Sequence, residues 1–143
     1  MDAQELLQSV PLFHGLDKQH VESLAKFCHE RSFAGGDVIV REGESGIGLF
    51  IIGSGQVEVT QQRGGRDERL RHMGAGEVFG EIGLLADHPR TATVRATGPT
   101  TCLVLTSLSF HDALDGSPEI AGPLLKTVAG WLVEAEDRAS AHL

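Results

Sequence analysis

Hydrophobic positions change their rhythm twice along this chain. From residue 2 to 29 they recur at helical spacing: Leu6, Leu7 and Val10 form one short stripe, and Val21, Leu24, Ala25 and Cys28 form a second. Pro11 separates the two, Phe13 and Leu16 fall in the connecting turn, and Asp17 is placed to cap the second helix. From Arg31 to Thr106 the texture is different. Short β-branched runs such as "GGDVIVREGE", "GLFIIGSG", "QVEVTQQRGG", "TATVRATG" and "TTCLVLTS" follow one another, each bounded by glycine, and most of the 18 glycines lie here. Runs punctuated in this way predict an antiparallel sandwich or roll. No long helical stretch intervenes, which argues against a doubly wound parallel sheet.

Helical spacing returns at Leu108. Phe110, Ala113 and Leu114 make a short segment that Asp115-Gly116 can stop. Ser117 is then placed as a cap, with Pro118 at the first helical position, and Ala121, Leu124, Leu125, Val128, Leu132 and Ala135 carry a longer helix. Pro123 would break a continuous helix, so the pattern predicts a short turn over 118–121 and a fresh start or kink near Pro123. The expected fold is mainly β with flanking helices. It is an antiparallel, jelly-roll-like β-roll in one domain, 1–143, with N-terminal helices over 1–30, the roll over 31–106 and a hinge plus long helix over 107–143.

Charge narrows the functions. The chain carries 20 acidic against 12 basic residues, a formal net charge of -8. Its densest basic patch, Arg63, Arg66, Arg69 and Arg71, is interrupted by Asp67 and Glu68 beside a Gly-Gly turn and reads as a solvated hairpin tip. Direct nucleic-acid binding is therefore not expected. Cys28 and Cys102 sit in apolar surroundings, too few for a disulfide framework or a zinc site. The absence of a long apolar run or a secretory pattern points to a cytoplasmic chain without membrane insertion. The histidines, His14, His20, His29, His72, His88, His111 and His142, show no ligand spacing, so a metal-dependent catalytic roll is not expected. No local motif assembles a serine or cysteine nucleophile with its base, and the chain is not read as an enzyme.

One segment, "FGEIGLLADHPRTATV", Phe79 to Val94, places a carboxylate, Glu81, and a guanidinium, Arg90, among core residues. Buried charges need partners. Either the two pair with each other across a turn, or a ligand supplies what each lacks. Gly80 at the mouth of a short helix allows close approach of an anion to backbone N–H groups. Arg90, following Pro89, offers a planar fork for phosphate oxygens, and an ionised Glu81 suits a hydroxyl.

The stretch Phe79–Leu85 followed by Pro89–Val94 resembles the phosphate-binding cassette of cyclic nucleotide-binding domains. "VPLFHGLDKQHVESLA" resembles that family's opening helices, "FAGGDVIVREGESGIGLFIIGSGQVEV" its β-roll, and "LTSLSFHDALDGSPEIAGPLLKTVAGWLVEAE" its hinge and last helix. The resemblance implies that Arg90 pairs with the cyclic phosphate, helped by amides around Gly80, Glu81, Ile82 and Thr91, and that Glu81 accepts the ribose 2′-hydroxyl. It implies cAMP first and cGMP next, with Thr91 as the residue able to reach a guanine amino group, and no cofactor. Phe110 would be the hinge residue, and Val128, Trp131 or Leu132 would supply a lid as the last helix moves on binding. It further implies an effector outside this chain, either a separate protein or a missing effector domain, and a homodimer through the C-terminal helix. The starting methionine favours a natural N-terminus. The rival expectation is a degenerate β-roll that only mediates protein–protein interaction.

Overall fold

The computed structural model describes residues 2–140. The chain opens with α1 (Ala3–Gln8), a 3-10 turn (Pro11–Phe13) and α2 (Lys18–Ala25), and the Asp17 carboxylate caps α2 by accepting the His20 amide at 2.9 Å. Eight strands follow: β1 (His29–Phe33), β2 (Val38–Val40), β3 (Gly48–Ser54), β4 (Gln56–Arg63), β5 (Arg66–Gly74), β6 (Val78–Phe79), β7 (Thr93–Ala96) and β8 (Thr100–Thr106). A single-turn helix, α3 (Ile82–Leu85), lies between β6 and β7. The chain then forms α4 (Ser107–Gly116), a second 3-10 turn (Pro118–Ile120) and α5 (Ala121–Ser140). The roll starts at His29, two residues before the change of texture suggests, because "HERSF" is a solvated edge strand with little apolar signal.

All strand pairs are antiparallel, in two four-stranded sheets ordered β1-β8-β3-β6 and β2-β7-β4-β5. β3 shows why its sequence is apolar without a break from Leu49 to Ile52. Phe50 and Ile52 face the second sheet beside Val57, Met73, Val94 and Val104, whereas Leu49 and Ile51 face the helices beside Leu12, Phe13, Leu24, Leu84 and Phe110. A strand covered on both faces loses its alternation.

The C-terminal turn departs from expectation in one detail. Ser117 makes no side-chain cap; its amide instead closes α4 onto the Ala113 and Leu114 carbonyls. Pro118 does open a short turn, and α5 then starts at Ala121, so Pro123 falls in the first helical turn, where a missing N–H leaves no intrahelical bond unmade. Only Leu124 of α5 is fully buried, and residues 129–140 are exposed.

Candidate functional site

The segment between β6 and β7 crosses from one sheet to the other. β6 pairs with Phe50 and Ile51 of β3, and β7 lies between β2 and β4. Both ends are therefore fixed by ladders. Arg90 is held further by a turn before β3: its amide donates to the Glu44 carbonyl and its carbonyl accepts from the Gly43 amide, both at 2.8 Å. Gly80 has φ 90°, and a Cβ there would collide with the Gly48 carbonyl and the Arg90 guanidinium, so only glycine lets the chain turn this close.

Gly80, Glu81, Ile82, Arg90 and Thr91 all line one cavity of about 400 Å³, together with Val59, Met73, Val78, Phe79 and Val94. Inside it the two charges do not pair; no Glu81–Arg90 ion pair forms among the described residues. Arg90 lies over the Phe50 ring, 5.9 Å from its centroid, and Phe50 in turn stacks on Phe79 at 5.1 Å. One guanidinium nitrogen, Nη2, donates to the Gly48 carbonyl at 2.6 Å, while the buried Nε has no partner. Burial lowers the Arg90 pKa, yet the group stays a cation with no anion beside it. The Glu81 carboxyl is pushed up, mainly by burial, against the opposing pull of the Leu12 amide and His14. Its Oε2 accepts from Leu12 N–H at 3.0 Å.

The amides of Glu81, Ile82 and Thr91 meet no backbone acceptor outside the regular elements. A guanidinium without an anion beside it and free amides can together hold an anion with several oxygens. Val40, Val59, Met73, Val78, Phe79 and Val94 give the rest of the wall a mainly apolar surface, which suits a flat ring.

Two ionisable cavity residues escape the sequence reading. Arg71 sits on β5 opposite Val59, not at the hairpin tip, and its Nη2 lies 3.3 Å from Met73 Sδ. Strand alternation contains the signal: Met73 faces the core, so the residue two before it shares that face. His88 also lines the cavity, its Nδ1 2.8 Å from the Pro89 carbonyl. Arg63 and Arg66 do form the hairpin tip, flanking Gly64-Gly65.

The expected hinge and lid residues lie elsewhere. Phe110 is fully buried in α4, its ring 6.2 Å from Phe13. Val128 packs on the helical core, Trp131 is 36% and Leu132 60% exposed, and none of the three lines the cavity. Among the described residues no group of three or more His, Cys, Asp or Glu gathers as a metal site, and no helix is long and apolar enough to cross a membrane; His142 lies outside those residues. Burial pushes the Cys28 thiol up to about 12 and Cys102 to about 11, so neither presents a thiolate at neutral pH.

Residues 30–117 match the family model of the cyclic nucleotide-binding domain. The chain belongs to that family. Among curated relatives it is 38% identical over 112 residues to a cAMP-dependent protein kinase regulatory subunit of Dictyostelium discoideum, an alignment covering 76% of this chain and 34% of the relative. It is 39% identical over 95 residues to a cGMP-dependent protein kinase of Caenorhabditis briggsae, covering 65% and 13%. Among solved structures, the N-terminal domain of a transcriptional regulator from Streptomyces coelicolor A3(2) superposes with a TM-score of 0.86 at 32% identity, covering 92% of this chain and 95% of that one. This cyclic nucleotide-binding domain thus spans about a third or less of the curated relatives it matches.

Proposed function

We propose that this domain binds a 3′,5′-cyclic nucleotide and acts as a non-catalytic sensor. The observation that carries the reading is Arg90: a half-buried guanidinium, fixed by its backbone, without an anionic partner in the cavity it lines. A cyclic phosphate would complete it, with the Glu81, Ile82 and Thr91 amides as further donors and Gly80 permitting the approach. Glu81 would accept the ribose 2′-hydroxyl.

The base is the finer question. cAMP is the first expectation from the sequence, and Arg71 adds an argument for guanine. A guanidinium on the cavity wall matches the paired acceptors O6 and N7 of guanine, whereas adenine offers a donor at the corresponding position. The Thr91 hydroxyl makes no hydrogen bond in the free domain and can accept from the guanine amino group. Both cyclic nucleotides belong in the first experiment. On occupation, α5 would swing at the Ser117–Pro118 joint and bring Val128, Trp131 or Leu132 over the base, passing the signal to an effector outside this chain.

Isothermal titration of the chain with cAMP and cGMP, beside Arg90→Ala, tests the reading. Saturable binding should weaken in the variant by about 2–5 kcal/mol, roughly thirtyfold to several thousandfold, because a desolvated phosphate loses its cation. A folded wild-type chain that takes up neither nucleotide would leave the protein-interaction roll in its place.

A further inference from the structure

The ribose carboxylate is already engaged in the free domain, with a partner 69 positions away. Leu12 is fully buried in the 3-10 turn Pro11–Phe13, and its amide, one of the donors that such a turn cannot satisfy itself, finds its acceptor in Glu81 Oε2 at 3.0 Å. No other acceptor meets that amide. The second oxygen, Oε1, takes no hydrogen bond and is not sealed from solvent. Glu81, which lines the cavity, therefore presents one oxygen to the N-terminal segment and has the other uncommitted.

The same turn touches the output end of the molecule. It packs against α5, and a Cβ on neighbouring Gly15 would stand 3.2 Å from the Thr127 hydroxyl and 3.5 Å from the Pro123 carbonyl. Leu12 and Phe13 share a core cluster with Ile120 and Leu124, which root α5. This segment lies outside residues 30–117, the part matched by the family model.

We propose that Glu81 is shared between the ribose and the Leu12 amide, so that the 3-10 turn Pro11–Phe13 forms the back of the ribose subsite and senses a bound sugar at the root of α5. The inference rests on the receptor reading above. A carboxylate held by one amide has a fixed orientation, and a second donor on its free oxygen removes the remaining motion. Sugar binding should tighten the Leu12 bond, and a nucleotide without the 2′-hydroxyl should occupy the phosphate site without doing so.

Amide hydrogen exchange at Leu12, read by NMR on the full chain, is the test. Each of cAMP and cGMP is compared with its 2′-deoxy counterpart, with saturation verified by calorimetry. The ribonucleotide should slow Leu12 exchange at least about tenfold, the size expected when a charge-assisted bond is secured, and the deoxynucleotide should leave it within about twofold. Equal slowing by both, or no slowing by a saturating ribonucleotide, would overturn the sharing while leaving the receptor intact. Calorimetry without binding would overturn both. In the free chain, Glu81→Ala should speed Leu12 exchange and Glu81→Gln, which keeps an acceptor, should restore it; unchanged exchange in the alanine variant would remove the bond itself.

Discussion

Glu81 and Arg90 each carry a charge that burial opposes, and each is left without a side-chain counter-ion. Burial raises the Glu81 pKa, with Leu12 N–H and His14 pulling the other way. A carboxyl raised in the folded state stabilises the fold while protonated and loses that contribution as pH rises through its folded value. At neutral pH ionised Glu81 is therefore a burden on the free fold. Glu81→Gln should hold or raise the urea midpoint at neutral pH and have less effect in acid. The ionised form is also the acceptor, so the affinity advantage of a cyclic nucleotide over its 2′-deoxy analogue should shrink as pH falls through the Glu81 range. Calorimetry at a series of pH values measures both affinities. Arg71 allows a cleaner separation because it reaches the cavity from β5 and not from the 79–94 segment. Arg71→Ala should cost cGMP about 1–3 kcal/mol, the worth of a bidentate guanine contact, and leave cAMP nearly unchanged. Equal losses for both nucleotides would demote Arg71 to a general electrostatic role.

At the scale of elements, legibility followed burial. β3 and β8 announced themselves because both their faces are covered and their apolar residues run together. The Gly80–Glu81 and Pro89–Arg90 pairs stood out because charge and glycine are costly in such company. β1 was blurred, since four of its five residues are exposed and an edge strand has no need of alternation. Charge read without strand parity assigns Arg71 to the hairpin tip, whereas parity with Met73 turns it to the cavity. The Leu12–Glu81 bond was invisible: a backbone amide has no side-chain signature, and its partner comes from 69 positions further on. α5 is the element whose sequence was read most fully and whose role depends most on movement. Trp131, the chain's single tryptophan, is 36% exposed on it and away from the cavity. If α5 closes over the base, saturating nucleotide should shift Trp131 emission to shorter wavelength along the calorimetric binding curve. Arg90→Ala should abolish the shift at the same nucleotide concentration. Binding with unchanged emission would mean that α5 stays where it is.

At the scale of the whole molecule, α5 carries an apolar stripe that is largely uncovered among the described residues. Leu125, Val128, Leu132, Ala135 and Ala139 alternate at three and four positions along α5, the seam of a two-helix coil. Leu125 is 70% exposed and Leu132 60%, while Val128 is already partly packed on the core. A seam of fewer than three heptads is short, so a dimer built on it should be weak and sensitive to charge. Each chain brings a formal net charge of -8, and Glu136 flanks the seam itself. Repulsion between two such helices is screened by salt over about 10 Å at 0.1 M. Light scattering should therefore show the mass of two chains at high protein concentration, with the dimer fraction rising as salt is added. Leu125→Glu, which lies outside the cavity lining, should return the chain to a single-chain mass and leave nucleotide affinity unchanged. A wild-type chain that stays single at every salt concentration would assign the stripe to the lid or to an effector protein. The two assignments then separate on Trp131, because a lid blue-shifts with nucleotide alone and an effector surface does not.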